Sequence, residues 1–230
     1  MSLFLSDILA YLKEAYTGDG IIYRHAVPCE GENSVLDEQN TPKPLWLLLD
    51  ERQRRGTGIP VDLGLSVLWS SRNVGAPSGE QPGLYVGWGD STGSQTSTNP
   101  NNYPSNDPPK NIGGTEYDIA SERWEESWRL PTRDEIEELI EECQWYPTAI
   151  NGVPGYQIVG ITGNSIFLPA AGSRFGSEYE DAYCFGRYWT SELNTKDARR
   201  AYLLEFGQHG PEIIAMARHI GMCIRPVLEK

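Results

Sequence analysis

Thr132-Arg133-Asp134-Glu135 is the segment of this chain that leaves least freedom to the local structure. A threonine followed three residues later by a glutamate forms a capping box. The hydroxyl accepts from the backbone N–H of the glutamate, and the carboxylate accepts from the backbone N–H of the threonine. An apolar stripe of Ile136, Leu139, Ile140 and Cys143 continues at helical spacing, while Glu137, Glu138, Glu141 and Glu142 fill the remaining positions. The pattern predicts a helix over 132–143, with one face in a core and the other in water. A shorter helix is expected just before it, over 117–126.

Further along, the signals change period. Asn151-Gly152 and Gly163-Asn164 readily adopt the positive φ that hairpin turns need. They bracket a strand near 156–159 and precede another at 165–168. More strands are expected near 188–191, 201–206 and 222–227, with a turn over 207–210. Upstream, 61–69 reads as a strand-like run, and 85–89 as a short strand whose glycines permit close backbone approach. Between that strand and the helices, 91–114 is crowded with Ser, Thr, Asn, Pro and Gly and reads as a long loop. Helices followed by a β-rich half imply an α+β fold.

The first 60 residues have a different character. Leu5, Ile8, Leu9, Leu12 and Tyr16 make the stripe of an amphipathic helix that ends near Gly18 and Gly20. Residues 21–60 are irregular, and Arg52, Arg54 and Arg55 before Gly56 and Gly58 read as a solvated linker. The expected organisation is an N-terminal helix with an irregular extension over 1–60, then one domain over 61–230.

Charge and composition remove several function classes. With 32 acidic against 19 basic residues the net charge is −13, and such a field disfavours nucleic-acid backbones and anionic lipid. No stretch approaches the roughly 20 apolar residues of a membrane-spanning helix. The opening 16 residues have no basic start and carry Asp7 and Glu14, unlike a signal peptide. Cys29, Cys143, Cys184 and Cys223 form no CxxC pair, and His25, His209 and His219 have no ligand spacing. No GxSxG elbow is present. No cofactor is assigned. Calcium is the most plausible ion for the loop composition, through Asp90, Asn99, Asn101, Asn102, Asn106 and Asp107, although an ordinary turn-rich loop uses the same residues.

Several whole phrases carry a resemblance: VDLGLSVLWSSRNVGA at 61–76, YVGWGD at 85–90, SWRLPTRDEIEELIEECQW at 127–145, NGVPGYQIVGITGNSIFLPAAGSRFG at 151–176, GRYWTSE at 186–192 and GMCIRPV at 221–227. In this order they resemble the Fibrobacter succinogenes major paralogous domain, within the C-type lectin-like and sulfatase-modifying-factor fold group. The resemblance covers about 61–228. It implies a C-type lectin-like fold that displays a binding surface, and a protein at a bacterial or phage surface. It implies a glycan or protein ligand, and a core built on Trp69, Trp88, Trp128 and Trp189. Arg129 and Arg225, set among apolar residues, are expected to pair with buried carboxylates or carbonyls.

Some members of the group vary their C-terminal region through diversity-generating retroelements. Here the corresponding stretch is 183–218. Within it, Arg187, Tyr188, Glu192, Asn194, Arg199, Tyr202 and His209 are the candidate ligand contacts, expected to be exposed and to converge on one surface. A structural role in a surface appendage or tail is the alternative. A formylglycine-generating-type oxidase is disfavoured, because such enzymes use a close C-terminal cysteine pair, whereas Cys184 and Cys223 lie far apart in sequence and outside that motif.

Overall fold

The computed structural model describes residues 34–36, 42–44, 57–93, 109–124 and 127–230. The chain divides into two compact units, Met1–Glu51 and Arg52–Lys230. In the first, β1 (Ser34–Leu36) pairs antiparallel with β2 (Pro42–Pro44). The helix expected over 5–16 lies outside the described residues.

Among its described residues the second unit is a mixed fold, with two helices and many short antiparallel strands in small sheets. It begins earlier than residue 61, because the chain just before that point is built into it. Ser71 N donates to Ile59 O, and β3 (Pro60–Val61) pairs with β4 (Leu68–Ser70). The single strand expected over 61–69 is therefore two strands. Asp62 Oδ1 accepts from Gly64 N, and Gly64 takes a φ of +86°, which turns the chain between them.

The capping box forms as the sequence predicts. In α2 (Arg133–Glu142), Thr132 Oγ1 accepts from Glu135 N at 3.2 Å while Glu135 Oε2 accepts from Thr132 N at 2.7 Å. Ile136 and Leu139 are buried. The preceding α1 (Ile119–Arg123) is shorter than expected, and its N-cap is the fully buried Asp118. Asp118 accepts from Gly114, Ala120, Ser121 and Leu130 N–H groups, which fixes the loop, the helix and the strand-like run after it to one side chain. No helix among the described residues is long and apolar enough to cross a membrane.

Next comes the sheet β5 (Gln144–Ile150), β6 (Val153–Val159) and β7 (Ser165–Pro169). Asn151 and Gly152, at φ 51° and 80°, make the β5–β6 turn. Strand β5 escapes a sequence reading because nearly all of it is exposed, so no apolar alternation marks it. Then β8 (Ser173–Phe175) and β9 (Glu178–Glu180) form a small hairpin. Last, β10 (Gly186–Leu193), β11 (Arg200–Gly207) and β12 (Gly210–Ala217) form a meander, before β13 (Val227–Leu228) returns to pair with β4. The expected strand at 85–89 is reduced to one isolated bridge, Val86 to Met222, and that at 222–227 to bridges at Met222, Cys223 and Val227, with only Val227 entering β13.

The meander lies between two apolar clusters, and its alternation serves both. Leu204 and Phe206 of β11 enter one cluster with Leu63, Trp69, Leu139, Ile158 and Tyr188. Ala201 and Leu203 enter the other with Trp88, Trp124, Trp128, Trp189 and Met222. The four expected tryptophans are all core, none above 1% exposed. Arg225 is as deeply buried. It donates to Asn73 Oδ1 at 2.8 Å, Ser70 O at 2.9 Å, Phe167 O at 2.8 Å and Gly79 O at 3.3 Å. Arg129 pairs with Glu135 and Glu229.

Candidate functional site

Tyr188 and Arg187 are not surface residues, contrary to the expectation. Tyr188 is 1% exposed, and its hydroxyl donates to Pro169 O at 2.7 Å. Burial pushes that phenol well above its ordinary range. Arg187, 8% exposed, is neutralised by two carboxylates: Nε bonds Glu205 across the β10–β11 pair, and Nη1 lies 2.8 Å from Asp181 Oδ2. Its Nη1 also donates to Ser173 Oγ at 3.0 Å. The reason for both is that β10 has a core on each face, so neither parity of its residues reaches water.

Nor do the remaining candidates converge. Asn194 and Arg199 sit in the β10–β11 connection, where Asn194 N donates to Arg200 O and Asp197 Oδ1 accepts from Arg199 Nε at 2.9 Å. Arg199 is well exposed and Asn194 half-buried. Glu192 and Tyr202 are half-buried beside the start of α2, where the Arg133 guanidinium lies over the Tyr202 ring at 5.1 Å. Burial, then the charge of Asp134, raises the Glu192 carboxyl. His209 is exposed but lies in the β11–β12 turn, at the other end of β11. Seven residue steps separate those ends, about 23 Å at roughly 3.3 Å per step. Glu192, Asn194, Arg199 and Tyr202 therefore form one group, and His209 stands apart.

A different segment of the chain concentrates exposed aromatic side chains. Six large hydrophobic side chains are exposed among the described residues, and Phe175, Tyr179 and Tyr183 supply half of them within nine residues of chain. They belong to the β8–β9 hairpin and the turn after it. The hairpin is anchored at its base: Arg174 and Gly221 exchange backbone hydrogen bonds, both at 2.8 Å. Gly172 has a φ of +68°, and a Cβ there would lie 2.2 Å from Glu180 O, so only glycine lets the two arms close. Cross-strand register puts Arg174 opposite Tyr179, and Phe175 opposite Glu178. One hairpin face therefore carries Arg174 and Tyr179, with Tyr179 edge-on to Tyr85 at 5.1 Å. The other carries Phe175, edge-on to His219 at 5.6 Å. Burial lowers the His219 pKa.

Sequence reasoning missed Arg174, Phe175 and Tyr179, which precede the stretch singled out. An available signal was three aromatics in a short acidic, glycine-containing run, since exposed rings between carboxylates have no core to enter.

Of the loop oxygens considered for calcium, Asp90 is buried and accepts from Thr92 N and Oγ1. Asn99, Asn101, Asn102, Asn106 and Asp107 lie outside the described residues. Cys223 is deeply buried, which pushes its thiol above the usual range, and Cys184 is exposed. Searches of protein-family models, of curated proteins and of solved structures gave no match to this chain.

Proposed function

We propose that this chain is a non-enzymatic ligand-binding module on a C-type lectin-like scaffold, taking a glycan or protein ligand at a cell or phage surface. One observation carries the reading: Phe175 and Tyr179, on opposite faces of a hairpin anchored at its base, and Tyr183 in the turn after it present their rings to solvent. Exposed aromatic area held on a rigid support is the usual currency of recognition surfaces, because rings give large contact area at little conformational cost. The scaffold reading draws support from the order of a strand pair, a long connection, two helices and a β-rich C-terminal half. Glu192, Asn194, Arg199 and Tyr202 offer a second polar surface, and His209 a third point, to be compared with the hairpin in the same assay.

The test is a glycan and cell-surface array probed with the full chain. Tyr179→Ala and Tyr183→Ala should abolish capture while the melting temperature stays near that of the parent. Capture that survives both changes but is lost on Arg199→Ala or Tyr202→Ala would move the site to the β10–β11 end. If none of these changes affects capture, the reading is wrong.

A further inference from the structure

The buried arginines of this domain differ in how they are satisfied, and the difference singles out one of them. Arg225 donates to four acceptors, and Arg187 to two carboxylates and a hydroxyl. Arg174 is 8% exposed, as buried as Arg187, yet no hydrogen bond or ion pair ties its guanidinium to a described residue. Its Nε is shut away from solvent with no acceptor. The Tyr179 ring lies 5.4 Å from the guanidinium carbon. A ring attracts the cation through its face but takes none of the in-plane N–H hydrogen bonds. Unmade hydrogen bonds on a buried charge are unfavourable, and folded proteins rarely leave them so without a reason.

Acidic partners are not scarce. The chain has 32 of them, and Glu178, Glu180 and Asp181 stand in the same hairpin and turn. Register keeps the first two away: Glu178 and Glu180 pair with Phe175 and Ser173, so they point to the opposite face from Arg174. Asp181 is taken by Arg187. The hairpin thus withholds its own carboxylates from Arg174, and sets the exposed Tyr179 beside it. Tyr85 packs edge-on against Tyr179.

We propose that Arg174 is the anion-recognising group of the ligand site, and that it pairs with the carboxylate of an acidic sugar stacked on Tyr179. This deepens, and rests on, the ligand-binding reading above. Because Nε is closed to solvent, the carboxylate meets the terminal Nη1 and Nη2, whose planar fork can bond both of its oxygens. The apolar face of a sugar ring suits the exposed Tyr ring. One cation takes one negative charge, and a chain of net charge −13 repels polyanions such as nucleic acid or polyphosphate. A single carboxylate within an otherwise neutral saccharide meets both conditions.

The experiment compares binding of the full chain to glucuronic-acid-terminated oligosaccharides and to their glucose-terminated counterparts of the same linkage. The acidic set should bind at least tenfold more tightly, and Arg174→Gln should erase that preference. Arg174→Gln should not lower the melting temperature, since it removes a charge without a partner. A second measurement does not depend on the variant: the Arg174 side-chain Nε–H resonance should shift saturably with glucuronate and not with glucose. If neutral oligosaccharides bind equally well, lose binding on Tyr179→Ala and are indifferent to Arg174→Gln, the carboxylate proposal fails and the binding-module reading stands. If no saccharide binds and the Nε–H resonance is unmoved, the carboxylate proposal is likewise overturned. In that case capture of a protein by the Tyr179 surface would still support the module.

Discussion

Replacing Arg225 with methionine removes a side chain that joins β4, the segment after it and β7. Arg225 is 1% exposed and makes three short bonds, to Asn73 Oδ1, Ser70 O and Phe167 O, and a longer one to Gly79 O. Each buried acceptor left without a donor costs about 1–3 kcal/mol, so the gross loss is about 3–9 kcal/mol. Methionine has similar length and no charge to desolvate, which returns several kcal/mol. The expected net loss is about 3–5 kcal/mol, or a fall in melting temperature of roughly 6–20 °C for a domain of this size. Urea unfolding followed by tryptophan fluorescence measures it, since Trp69, Trp88, Trp128 and Trp189 are all buried. Arg225→Lys separates charge from geometry. Lysine keeps the charge but cannot reach the divergent acceptors with one ammonium, so it should be nearly as destabilising. If Arg225→Met stays within about 1 kcal/mol of the parent, the argument that these hydrogen bonds hold the three segments together is refuted.

Thr132→Ala should lower stability by about 1 kcal/mol through loss of the cap, and an unchanged denaturation midpoint would count against it. Tyr188→Phe should cost about 1–2 kcal/mol, because Pro169 O loses its buried donor, and should leave ligand capture intact. Lost capture at unchanged stability would return Tyr188 to the binding site. Burial works to raise the Glu135 carboxyl, but the Arg129 pair and the Thr132 N–H outweigh it and hold it below its ordinary range. Its folded-state pKa lies below the unfolded value of about 4.3, so its contribution is complete above that pH and drains as pH falls through the folded value. Glu135→Gln should therefore flatten the fall in stability below about pH 4, and a slope like the parent's would show that Glu135 is not the group responsible.

The sequence alone determined the elements whose causes are local. The capping box and the stripe behind it fix α2, since backbone caps and one-face burial act within twelve residues. Asn151-Gly152 fixes its hairpin, because the positive φ is a property of those two residues. The tryptophans and Arg225 read as interior groups because a turn-rich acidic chain has few other ways to fill a core. What tertiary structure alone decided was which side of each strand meets water. Strand β10 carries polar residues typical of a surface, yet it is sandwiched between two cores, so Arg187 and Tyr188 point inward. Strands β5 and β12 show no burial alternation to read, because one is almost wholly exposed and the other half-covered along its length. The β8–β9 hairpin is three residues on each side, too short for a period to register. Its proposed binding role depends on a register that sends Glu178 and Glu180 one way and Arg174 with Tyr179 the other. The same hairpin is bridged at Arg174 to Gly221, 47 positions further along the chain, a contact no local pattern shows.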